Sequence, residues 1–326
     1  MTSLADKNVW AIEKLAVTAH TQTVRKMKIF MREEIQRKDI DTLKRHLRRK
    51  IGGYTVASTP LTTDNVLFRG VRCDDRPTLV KRISYPDPHF VTENGRLNRA
   101  GRPIFYCSRA APSVLFEIHA KQGDRVALSR WKLAEPLWMR NLGYHSAALR
   151  RLGAPIAPRL RLVNPIPNET EENEQMRRAL SLACTEDVRP GEEYRYKLSI
   201  AINEWLFDDA GLMPTDYPDG PRDGRAAGTA YPAMKMRGFA DNLAIWPEFV
   251  DKYLRLELIQ WVLIEQADEA HLLCTVKHLA TAREFPDGNI VWDETPMDVR
   301  NGRGTVALEG DKWISRNGLG EVYDIH

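Results

Sequence analysis

The stretch "NGRLNRAGRPIFYCSRAAPSVLFEIHA", Asn94–Ala120, decides how the chain is read. "NRAG" is a turn signal, with Gly101 supplying conformations that other residues resist. "RPIFYCS" follows as a short apolar and aromatic run, which predicts a buried strand. "APSVLFEIHAK" then predicts a helix. Pro112 sits in its first turn, and Val114, Leu115 and Ile118 form its apolar face. Glu117 lies inside that helix, either on its wet face or beside a cation. Upstream, "NVLFRGVR" predicts another short strand, carrying Arg69.

Working outward, "YLRLELIQWVLIEQ" alternates Leu254, Leu256 and Leu258 before a continuous apolar run, which favours a buried strand over a helix. "YRYKLSIAINEWLFDDAG" is read as a strand running into an amphipathic helix, on Ile200, Ile202, Trp205 and Leu206. "MPTDYPDGPRDGRAAG" is a Gly/Pro/Asp loop leading into "GTAYPAMKMRGFADNLAIWP", Gly228–Pro247, read as a further loop that presents polar groups. Residues 141–193, with spaced prolines and an acidic run, are expected to form a surface insertion or long connection carrying one helix, "ENEQMRRALSLA". The last sixty residues, with "FPDGNIVWDE" and "GRGTVALEGDKWI", predict short strands and tight turns. Near the N-terminus, "TVRKMKIFMREEIQRKDIDTLKRHLRRKIGG" predicts two short basic helices, with Val24, Met27, Phe30, Met31 and Ile35 on one face. These divide the chain into a basic helical segment 1–54, a central domain 55–266 and a β-rich extension 267–326.

The chain has 326 residues, 43% of them hydrophobic, enough for one large domain or two medium ones with a real core. A net charge of +4 permits an anionic partner without requiring one. The basic segment lacks interleaved aromatics, which disfavours a nucleic-acid partner. Cys73, Cys107, Cys184 and Cys274 are widely spaced, fitting reduced thiols and a cytoplasmic location. Neither a secretory signal nor a membrane span is predicted. GxGxxG, GxxxxGK[ST], HExxH and GxSxG are all absent, and no histidine has metal-ligand spacing. No metal and no bound cofactor are expected.

What remains is an ordered set: Arg69, then Gly95-Arg96-Leu97-Asn98, Gly101, Tyr106, Ser108 and Glu117, and later the Tyr231-Pro232-Ala233 turn and Asn242. That pattern resembles the RES domain, a family of NAD-degrading toxins, over roughly residues 60–265. The resemblance implies an α+β fold like that of the ADP-ribosyltransferases, with a mixed, mostly antiparallel core around a cleft. It implies NAD as substrate, cleaved between nicotinamide and ribose with water or phosphate as acceptor. It also implies a helix-turn-helix (Xre-type) antitoxin as partner. Arg69, Arg96, Tyr106, Glu117 and position 233 then fall to catalysis, and Asn98, Ser108, Tyr231 and Asn242 to substrate binding.

The residue types suit that chemistry. Arginine forks hold a diphosphate. A carboxylate stabilises charge developing at the anomeric carbon, and an aromatic face packs nicotinamide or ribose. Two positions depart from the pattern: Leu97 stands where the family has an aromatic, and Ala233 where it has a serine. Transfer of ADP-ribose to a macromolecule, and a non-enzymatic binding protein on a decayed scaffold, remain open beside the leading reading.

Overall fold

The computed structural model describes residues 37–50, 56–154, 171–189, 191–208, 226–294, 303–309, 312–317 and 322–324. The predicted N-terminal helix face Val24–Ile35, most of the Met213–Gly228 loop and the proline-spaced stretch 155–170 lie outside them.

In chain order the helices are α1 (Ile40–Lys50), α2 (Ala111–Glu117), α3 (Ser146–Leu152), α4 (Glu171–Cys184), α5 (Tyr196–Asp208) and α6 (Pro247–Tyr253). The strands are β1 (Ser58–Leu61), β2 (Val66–Arg72), β3 (Phe105–Ser108), β4 (Arg125–Leu133), β5 (Leu137–Asn141), β6 (Gly228–Pro232), β7 (Asp241–Ile245), β8 (Leu254–Asp268), β9 (Leu273–Glu284), β10 (Val291–Asp293), β11 (Arg303–Glu309), β12 (Lys312–Asn317) and β13 (Val322–Asp324). Among the described residues all thirteen strands belong to one sheet. Its order is β1-β5-β6-β7-β3-β2-β4-β8-β9-β11-β12-β13, with β10 also on β9. Only β5 and β6 pair in parallel; the other pairs are antiparallel. The chain is thus a mixed α+β protein. No described helix is long and apolar enough to cross a membrane.

The predicted strands at Arg69, "FYCS" and "LRLELIQWVLI" are β2, β3 and β8. Phe105, Leu67, Met139 and Ile245 are completely or nearly completely buried in the core between them. The boundary placed between 266 and 267 falls inside β8, so the sheet continues without a break into the C-terminal strands.

Three sequence expectations need correction. Gly228–Pro247 is not a loop: β6 and β7 form a hairpin, closed by the bond from Ala233 N–H to the Ala240 carbonyl. The segment read as a strand running into a helix is one helix, α5, buried from Leu198 to Leu206. Only Ser199, Asn203 and Glu204 interrupt its apolar run, and a helix buried on all sides shows little 3.6-residue periodicity, so its pattern imitates a strand. Finally, the described parts of 141–193 are not a surface excursion, although the one helix expected there, over "ENEQMRRALSLA", is present as α4. They supply α3 and α4, and Leu142, Leu180 and Cys184 pack with Leu198, Ile202, Trp205 and Leu206 in one core cluster.

The described part of the basic N-terminal segment is also docked. α1 lies along α5: Lys44 pairs with Asp208, and Leu47 packs on the cluster just described.

Candidate functional site

The site begins with a close approach. A Cβ on Gly70 of β2 would stand 2.6 Å from Val114, so only glycine lets α2 sit this close to the strand. α2 then ends in a Schellman motif. Ala120 N–H bonds the Leu115 carbonyl and His119 N–H bonds the Phe116 carbonyl, with His119 left-handed at φ 53°. This fixes Glu117 at the end of the last helical turn. Beside it, Tyr231, Asn242 and Ser108 are successive register partners across β6, β7 and β3. Directly opposed residues share a face, so the three form a row.

Helix end and row wall a cavity of about 890 Å³. That lies in the upper part of the roughly 300–1,000 Å³ range of small-molecule sites. Seven of the nine residues singled out from sequence line it: Arg69, Arg96, Tyr106, Ser108, Glu117, Tyr231 and Asn242. Asn98 and Ala233 do not.

Ala233 is completely buried, packed with Leu115, Phe116 and Met236. The expectation that position 233 faces a substrate is therefore corrected: a serine hydroxyl there would enter an apolar cluster. Asn98, 6% exposed, spends its side chain on the turn, accepting from the Tyr106 hydroxyl and donating to the Arg99 carbonyl.

The two arginines differ. Arg69 lies over the Phe105 ring and donates Nε to the Ile83 and Ser84 carbonyls and Nη1 to the Tyr106 carbonyl. Burial pulls its pKa down to about 10, which still leaves it charged at neutral pH. Only Nη2 makes no hydrogen bond among the described residues, so Arg69 has no two-nitrogen fork to offer. Arg96 donates Nη1 to the Cys184 and Glu186 carbonyls and stacks on Tyr196. Its Nε and Nη2 carry no bond among the described residues. That edge is the planar pair that binds two oxygens of an anion.

Tyr106 is a positioning residue. Its hydroxyl accepts from Leu97 N–H at 2.9 Å and donates to Asn98 Oδ1 at 2.9 Å, and burial keeps it protonated by raising its pKa. Gly95 has to be glycine here, since a Cβ would stand 2.3 Å from Asn98 Oδ1. Ser108 is saturated, donating to the Asp241 carbonyl and accepting from Ala110 N–H. Glu117 Oε1 accepts from Lys235 N–H at 3.0 Å; the carboxylate is half-buried and has no hydrogen-bonded cation among the described residues. Tyr231 and Asn242 are each 4% exposed.

Sequence reasoning missed the clamp that holds the Arg96 turn. From α5, Ser199 Oγ donates to the Arg96 carbonyl, Asn203 Nδ2 donates to the Leu97 carbonyl at 2.9 Å, and Glu204 binds Arg99. Arg99 also pairs with Asp41 of α1. These residues lie on the helix that had been read partly as a strand. Asp187 and Arg189, from the segment assigned to a long connection, and Tyr196, at the start of α5, also line the cavity. The dense charge of "TEDVRPGEEYRYK" was the available signal. No cluster of metal-ligating side chains occurs among the described residues.

Comparison with protein-family models, with curated proteins and with solved structures finds no match for the chain.

Proposed function

We propose that the protein consumes NAD, breaking the bond between nicotinamide and ribose and passing the ADP-ribosyl group to water or phosphate, as the RES-like sequence pattern implies. One observation carries this reading. A single cavity of about 890 Å³ gathers the open edge of Arg96, the carboxylate of Glu117 and the tyrosine–asparagine row, although these come from distant parts of the chain.

In this reading Arg96 takes two diphosphate oxygens, steadied by Tyr196 stacked on its other face. Glu117 stands by the ribose. As the C1′–N bond breaks, its electron pair moves onto the pyridinium nitrogen, so nicotinamide leaves uncharged and needs no acid. The positive charge left on the ribosyl carbon is stabilised by the Glu117 carboxylate, which the Lys235 N–H holds in place before the reaction starts.

The test is nicotinamide release from NAD, measured for the wild type and for Glu117→Gln. The variant keeps the hydrogen bond but loses the charge. Loss of one preorganised electrostatic group is expected to lower kcat roughly 10²–10³-fold. Wild-type turnover by Glu117→Gln refutes the mechanism, and intact NAD after incubation with wild type refutes the function.

A further inference from the structure

Three turns meet beside the cavity, and each holds a residue in a conformation that its side chain resists. His119 follows α2 at φ 53°, Arg237 sits between β6 and β7 at φ 48°, and Leu272 sits between β8 and β9 at φ 51°. Among the described residues only one other non-glycine residue, Asp287, has a positive φ. The β8–β9 turn ties the three together. Its Glu269 Oε1 bonds His119 Nδ1 at 3.0 Å, and its Ala270 carbonyl accepts from Arg237 Nη2 at 2.7 Å. Such strain persists only where the surrounding structure imposes it, and it concentrates at functional sites.

What these turns hold in place is an imidazole. Among the described residues His119 is the only histidine that lines the cavity, two positions after Glu117. Its ring is half-exposed, so water reaches it. Glu269 decides the tautomer. A carboxylate only accepts, so Nδ1 carries the proton and the neutral ring presents its lone pair on Nε2. Nε2 makes no hydrogen bond among the described residues. One ring nitrogen held by a carboxylate and the other open is the arrangement of a general base. The other charged groups beside it serve less well. Arg72, Arg189 and Lys235 have no lone pair to offer when protonated, and carboxylates such as Asp187 and Glu193 are ordinarily far weaker bases than imidazole.

We propose that His119, oriented by Glu269, is the general base that activates the acceptor, and that this acceptor is water. The inference rests on the NAD cleavage proposed above and deepens it. As the C1′–N bond breaks, a water oxygen forms the new bond to C1′ and its proton passes to His119 Nε2, which returns it to solvent. The products are nicotinamide, ADP-ribose and one proton. Inorganic phosphate already carries anionic oxygens at neutral pH, so a phosphate acceptor would have no use for the pair.

His119→Gly separates this role from a structural one. Glycine adopts φ 53° without strain, so Tm is expected at or above that of wild type. Nicotinamide release should nevertheless fall about 10²-fold in kcat, and added imidazole should recover about tenfold of that loss. Glu269→Gln keeps an acceptor but loses the charge, and should lower kcat about tenfold without moving KM for NAD. In phosphate buffer the product should remain ADP-ribose, at an unchanged rate. Wild-type kcat in either variant, a loss at position 119 that imidazole does not repair, or a phosphorylated ADP-ribose product overturns the inference and leaves NAD cleavage standing. Intact NAD after incubation with wild type refutes the proposed function and this inference with it.

Discussion

Tyr106→Phe separates positioning from chemistry. The substitution keeps the ring and removes one oxygen. That oxygen makes two hydrogen bonds, from Leu97 N–H and to Asn98 Oδ1, and both partners are buried, at 1% and 6% exposure. Leaving a buried polar group unsatisfied costs about 1–3 kcal/mol. With two such groups, and some relief as the turn relaxes, a loss of about 2–4 kcal/mol is expected. At roughly 2–4 °C per kcal/mol for a chain above 150 residues, Tm falls by about 5–15 °C. The Gly95–Asn98 turn then carries Arg96 less rigidly, and binding has to order it. KM for NAD is expected to rise roughly tenfold, with kcat within about threefold of wild type. Thermal unfolding and steady-state nicotinamide release supply both numbers. Unchanged Tm with a hundredfold fall in kcat would refute this reasoning, because the hydroxyl would then be acting on the reacting atoms.

The arginines should separate in the same assays. Arg96→Lys loses the open planar edge together with two carbonyl contacts and is expected to raise KM about tenfold or more with a modest fall in Tm, whereas Arg69→Lys gives up three carbonyl contacts and lowers Tm with the smaller change in KM; a larger KM effect at Arg69 than at Arg96 would contradict the assignment of roles. Ala233→Ser places a hydroxyl in an apolar cluster, so a Tm lower by a few degrees and no gain in turnover are expected; a faster enzyme would return position 233 to the site. Arg99, hydrogen-bonded to Asp41, holds that carboxyl below its ordinary value of 3.8. A depressed folded-state pKa stabilises the docked helix above that ordinary value and ceases to do so as pH falls through the lowered one. Protection of the α1 amides, taken relative to their intrinsic exchange rate at each pH, should therefore fall in acid, and Asp41→Asn should remove that acid dependence; the same dependence in Asp41→Asn would assign it elsewhere.

Part of the sheet was legible because β2 and β3 are apolar and aromatic runs between turn signals, and because β8 alternates Leu254, Leu256 and Leu258 before a continuous apolar run. The helix carrying Glu117 announced itself through Pro112 and its apolar spacing. The rest was hidden for physical reasons. α5 is buried on every side, and its polar residues Ser199, Asn203 and Glu204 are turned inward as well, so "SIAINEWLF" has no exposed face to reveal its period. β6 and β7 are five residues each, and both are buried along their whole length, so they lack the in–out alternation that marks a half-exposed strand. The site residues were read as individual chemical types. The structure divides them instead by whether their polar atoms are already occupied: Tyr106, Ser108 and most of Arg69 are, while Tyr231, the amide nitrogen of Asn242 and one edge of Arg96 carry no bond among the described residues. Whether a hydroxyl is occupied depends on partners such as the Asp241 carbonyl, 133 residues from Ser108, and no local pattern in a sequence names them.

The strand order also governs when the cavity can exist. β7 lies between β6 and β3, joining Leu243 to Ala230 on one side and to Cys107 on the other. A growing chain that has reached the end of α5 already holds Arg96, Tyr106 and Glu117 but still lacks the strands that complete the wall around them. Non-local antiparallel closure of this kind forms late and slowly. The complete pocket is thus withheld during synthesis until the β6–β7 hairpin has emerged and inserted, and fragments ending before Asp241 should carry the arginine and the glutamate without the chamber that brings them to bear on one ligand.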